Sequence, residues 1–108
     1  MIYELRVYRT VPGHLACLKA RFRDHTLRIW EKHDIRPVGF WVTLIGRSSE
    51  ELTYMLAWES LADREAKWNL FLNDPTWHNV RDHSERDGPL VANISSQILM
   101  PTDFSALR

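Results

Sequence analysis

The chain opens on strict alternation. In "MIYELRVYR", Tyr3, Leu5 and Val7 fall on one side of an extended segment, and Ile2, Glu4, Arg6 and Tyr8 on the other. "TVPGH" then breaks the pattern with Pro12 and Gly13. From His14 to His33 the period lengthens to that of a helix. Leu15, Leu18, Phe22, His25 and Ile29 share one stripe, with Trp30 and His33 beside it. "DIRP" stops this helix before Pro37. "VGFWVTLIG" reads as a second strand, apolar on both faces, and "RSSEE" as a hairpin turn. Leu52, Tyr54, Leu56 and Trp58 alternate through a third strand. Ser60 and Asp63 have the spacing of a helix cap, and Leu61, Glu65, Trp68 and Leu72 trace the stripe expected to face inward. Asp74 and Pro75 open a further helical segment, which Gly88 and Pro89 end. "LVANISSQILM" is a fourth strand, and residues 101–108 form a tail.

The order β-α-β-β-α-β predicts an α+β, ferredoxin-like fold over residues 1–108, a single domain. Two helices cover one face of a four-stranded antiparallel sheet and leave the other bare. A bare face carrying Tyr3, Leu5 and Val7 predicts a homodimer with two sheets packed face to face. The mixed side of the first strand then lies under the helices, where buried charges require partners. Glu4, Arg6, Tyr8, His25 and Glu65 are accordingly expected to converge in one cleft walled by Trp58 and Trp68. The reverse assignment puts Glu4, Arg6 and Tyr8 in the dimer interface; the cleft is the preferred reading.

Composition narrows the function classes. Fourteen basic and fourteen acidic residues cancel, so no basic footprint for nucleic acid exists. No apolar run approaches the length of a membrane span. One cysteine, Cys17, excludes an internal disulfide, and the charged, alternating N-terminus differs from a secretory signal. The expectation is a soluble cytoplasmic protein.

Within the cleft, Arg6 is suited to hold a carboxylate in its planar fork, with Glu4 at its side and Tyr8 as a second donor. His25 is a candidate base, and Glu65 a candidate acid or partner of Arg6. Each has a plainer reading: an ion pair, an edge histidine or a solvated carboxylate. Trp58, Trp68 and Trp77 serve as aromatic walls or simply as core. His78 and Asp82 are i,i+4 neighbours with His83 adjacent, but nothing completes a ligand set, so no metal and no cofactor are expected. Glycine-rich phosphate loops, G-x-S-x-G, C-x-x-C and H-E-x-x-H are absent.

The phrases "MIYELRVYRTVPGHL", "RFRDHTLRIWEKHDIRPVGFWVTLIG", "LTYMLAWESLADREAKWNLFLNDPTWH" and "ANISSQILMPT" resemble the NIPSNAP family, in order and over nearly the whole chain. Asp34 departs from the glycine usual after "EKH". The resemblance implies a dimeric α+β barrel, of the single-domain bacterial type. The wider superfamily includes cofactor-free monooxygenases and haem-degrading enzymes. In the latter a strand-1 asparagine and a helix-2 tryptophan and histidine serve the haem. Arg6 stands nearest that asparagine, Trp68 matches the tryptophan, and His78 is out of register, which points away from haem chemistry. Two function readings follow: a protein acting on a small organic ligand, by superfamily analogy a cofactor-independent oxygenase, and a non-catalytic binding or scaffold homodimer.

Overall fold

The computed structural model describes residues 1–108. Its elements are β1 (Ile2–Thr10), α1 (Leu15–Arg21), a π turn (Phe22–Thr26), α2 (Leu27–Lys32), β2 (Arg36–Val42), β3 (Glu51–Trp58), α3 (Leu61–Leu72), α4 (Pro75–Ser84) and β4 (Val91–Leu99). The strands form one antiparallel sheet in the order β2-β3-β1-β4, with the helices on one face. This is the ferredoxin-like α+β arrangement read from the alternation.

The caps act as their sequences dictate. Ser60 Oγ accepts the Asp63 N–H at 3.0 Å, and Asp63 Oδ2 accepts the Glu59 N–H at 3.1 Å. These are the two halves of a capping box, the second displaced by one residue. Asp74 Oδ1 accepts the Thr76 N–H at 2.8 Å, and Pro75 takes the first turn, where a missing N–H costs nothing. Between α2 and β2 the chain reverses through Asp34, whose φ of 56° is left-handed. That conformation suits glycine best and tolerates aspartate better than most residues.

The core fills the space between sheet and helices. Leu52, Tyr54, Leu56 and Trp58 of β3 point inward, against Leu18, Phe22, Ile29, Trp30 and Phe71. Phe22 sits edge-on to Tyr8 and Trp30, which sets helix against sheet through aromatic contacts. On β1, Glu4, Arg6 and Tyr8 share this inner face and are buried. Tyr3, Leu5 and Val7 lie on the opposite face, in register with Ala57, Met55 and Thr53. No helix covers that side. Trp41 lies across Gly39 there; a Cβ at residue 39 would come within 2.9 Å of the indole ring.

Two expectations about elements are corrected. The second strand ends at Val42, because the ladder with β3 ends at the Val42–Leu52 pair. Thr43–Gly46 leave the sheet, and Leu44 and Ile45 are each 94% exposed. The first helix runs unbroken from Leu15 to Lys32, but it is not α-helical throughout. Over Phe22–Thr26 it widens by one residue, so that the Leu27 N–H reaches back to the Phe22 carbonyl.

Candidate functional site

The inner face of β1 builds an ionic core. Glu4 is fully buried and accepts five hydrogen bonds. Arg64 binds it in fork geometry, Nε to Oε1 at 2.8 Å and Nη2 to Oε2 at 3.0 Å. Trp58 Nε1 donates at 3.0 Å, Ser96 Oγ at 2.7 Å and Arg6 Nη1 at 3.0 Å. Burial opposes the charge on Glu4, but the bonds from Arg64, Ser96 and Arg6 outweigh it and hold its pKa at about 2.

Arg6 is fixed on three sides. Its Nε donates to the Tyr54 hydroxyl at 2.7 Å, Nη1 to Glu4, and Nη2 to the Tyr8 hydroxyl at 3.3 Å. Tyr54 in turn donates to Tyr8 at 2.9 Å. The guanidinium carbon lies 4.9 Å from the centre of the Trp68 ring, a cation–π contact. Burial works against the Arg6 charge, and Tyr54, Tyr8 and Glu4 more than restore it, so its pKa lies above the ordinary arginine value. Burial, followed by Tyr8, pushes the Tyr54 phenol well up, so it remains a donor.

Beside this network runs an open groove of about 560 Å³, between the inner face of β1 and β4 and helices α3 and α4. Arg6 and Tyr8 line its floor, Trp68, Phe71 and Trp77 one wall, and Val91 to Ile94 the other. Arg21 and Arg81 stand at one end with Glu85. Arg21 is buried; its Nη1 donates to Ser84 Oγ at 3.2 Å and lies 3.6 Å from Glu85, while its Nε has no partner. Burial lowers the Arg21 pKa, though not to where an arginine loses its charge. The groove is therefore aromatic, with three arginines along it, each beside a carboxylate: Arg6 by Glu4, Arg21 by Glu85 and Arg81 by Asp82.

The structure gathers Glu4, Arg6, Tyr8, Trp58 and Trp68 in one cluster. Glu4 and Trp58 lie beneath the groove and position Arg6, whereas Arg6, Tyr8 and Trp68 line it. Two residues assigned to the cleft are elsewhere. Glu65 is exposed, and Arg64 occupies the inward position on α3. The reason is electrostatic: a second carboxylate beside Glu4 would repel it, and the adjacent cation fits. His25 is exposed because the π turn rotates the helix, bringing Thr26 inward with its Oγ1 on the Arg21 carbonyl at 3.3 Å. His78 Nε2 sits 2.6 Å from the Leu72 carbonyl, at the end of α3. Arg64, Tyr54, Ser96 and Arg21 were missed by the sequence reading. Only Arg64 left a usable trace: it lies one turn after the Ser60 cap, on a helix that starts directly from the strand beside β1.

A family model for NIPSNAP matches residues 3–106. The chain belongs to the NIPSNAP family. Among solved structures, it is similar to a NIPSNAP family protein of Agrobacterium tumefaciens, with 29% identity over 99% of this chain and 98% of that one, and a TM-score of 0.88. An uncharacterised NIPSNAP domain protein of Burkholderia xenovorans shares 22% identity over 97% and 98% of the two chains, at a TM-score of 0.84. A putative antibiotic biosynthesis monooxygenase of Chloroflexus aurantiacus shares the fold, with 14% identity, full coverage of both chains and a TM-score of 0.60. No curated protein matches the chain. No helix is long and apolar enough to cross a membrane.

Proposed function

We propose that this NIPSNAP protein is a homodimeric binding protein for a small organic acid. The acid's carboxylate meets Arg6 and Tyr8, and its apolar part lies against Trp68 and Trp77. One observation carries this reading: Arg6 is held rigid by Tyr54, Glu4 and Tyr8 yet lines the groove. A guanidinium already ordered by its neighbours loses little side-chain freedom when it takes a further acceptor. Arg21 and Arg81 stand at one end of the groove, the first 3.6 Å from Glu85 and the second 3.2 Å from Asp82.

An oxygenase-type activity draws support from the monooxygenase-like fold alone, and one fold hosts many chemistries. Cofactor-free oxygenation needs a base that takes a proton from the substrate. No histidine lines the groove, and its one acid faces Arg21. Binding is the reading favoured by these groups.

The test is a tryptophan-fluorescence titration of the wild type and Arg6→Gln with a panel of aromatic and short aliphatic carboxylates. Saturable quenching is expected with at least one acid, weakened tenfold or more in Arg6→Gln, while the neutral amide of that acid does not bind. Absence of saturable binding across the panel would reject the proposal.

A further inference from the structure

A second cavity, separate from the groove, lies on the far side of Tyr8 and Phe22, where the π turn crosses β2 and β3. It measures about 370 Å³, within the range of small-molecule pockets. Its lining is apolar: Phe22, Leu27, Phe40, Val42 and Leu52. Two cations, Lys19 and Arg23, complete it. They stand four residues apart on one helical face, a spacing at which like charges repel. Lys19 has no carboxylate within ion-pair distance, and Arg23 meets only its neighbour Asp24 at 3.4 Å, both well exposed. An apolar chamber with two under-neutralised cations is complementary to an anion that carries an apolar tail.

We infer that this cavity is a binding site for an anionic amphiphile, a single acyl-type chain ending in a carboxylate. The tail enters between Phe22, Phe40 and Leu52, and the head group meets Lys19 and Arg23. The site owes its shape to the π turn. The added residue displaces the following turn, so that Phe22 and Leu27 both line the chamber while Arg23 stays beside Lys19. The inference is independent of the groove around Arg6, which lies across the aromatic core.

The test is an amide NMR titration of the full chain with hexanoate, octanoate and decanoate, and with decanol as the uncharged control. Saturable shifts are expected at Lys19, Arg23, Leu27, Phe40 and Val42. Affinity should rise about fourfold per CH2 while the chain remains inside the cavity. A Lys19→Glu/Arg23→Glu variant should weaken decanoate tenfold or more and leave decanol unchanged. Val42→Trp, on an exposed edge-strand position, should fill the chamber and abolish binding of both. The inference fails if decanoate does not saturate these amides, as when a second copy of the chain covers the cavity. It fails equally if decanoate and decanol bind alike, if Val42→Trp binds decanoate normally, or if the shifts centre on Arg6 and Trp68.

Discussion

Glu4 shows how a single charge organises this interior. A buried carboxylate is tolerated only when its lone pairs are occupied and its charge is balanced. Here two guanidinium groups, an indole and a hydroxyl do both. Glu4→Gln replaces an acceptor oxygen with an amide that faces donors, and it strips Arg6 and Arg64 of their counter-ion. The expected cost is about 3 kcal/mol, read as a lower urea midpoint with an unchanged slope. The pH dependence follows from the same bonds. The folded pKa of Glu4 lies below its ordinary value, so its contribution is complete above pH 4.5 and is lost as pH falls toward 2. A depression from 4.5 to about 2 corresponds to roughly 3 kcal/mol. Asp74, whose pKa is lowered by Lys32 and then His33, adds to the loss in acid. Stability measured between pH 6 and pH 2.5 should therefore fall less steeply in Glu4→Gln than in the wild type. Parallel curves would contradict this assignment.

At the scale of elements, periodicity located nearly everything and oriented most of it. The alternation of β1 and β3 placed Glu4, Arg6, Tyr8 and Trp58 on the helix-facing side, and the caps at Ser60 and Asp74 began α3 and α4 at the right residues. Rotation about a helix axis was less legible. On α3 the apolar Leu61 and Leu72 suggested the inner stripe, yet both are exposed, and Arg64, Trp68 and Phe71 face the sheet. A preference set by one buried acid on another element has no local signature. The π turn is similarly silent: a single extra residue in a turn moved His25 out and Thr26 in without any proline or glycine to mark it. The orientation of α3 is open to a direct comparison. Arg64→Met should destabilise by about 2 kcal/mol, because Glu4 loses its fork partner. Glu65→Ala should change stability by less than about 0.5 kcal/mol, as exposed substitutions do. Thermal melts that reverse this order would mean the helix is turned the other way.

The whole molecule has two unequal faces. Helices cover one side of the sheet except along the groove, while Leu5, Val7, Met55 and Trp41 lie on the other with no helix above them, beside a buried Tyr3. Trp41 is 52% exposed, and Leu44 and Ile45 project beyond the sheet end. A monomer seldom leaves so large an apolar surface in water. The proposed sheet-to-sheet dimer covers it. Leu5→Glu puts an unpaired charge at its centre, and sedimentation velocity should then show a monomer at micromolar concentration where the wild type sediments as a dimer. A wild-type monomer under those conditions would rule the dimer out. The proposed dimer surface and the groove lie on opposite faces of β1, so the alternation of one short strand would serve both an association surface and a polar site. Ligand binding in the groove can be observed at Arg6 itself. In a 15N spectrum of the arginine Nε–H and tryptophan indole groups, benzoate should move the Arg6 and Trp68 signals together along one saturable curve. The same titration carried out with an unmoved Arg6 signal, while others shift, would contradict the account.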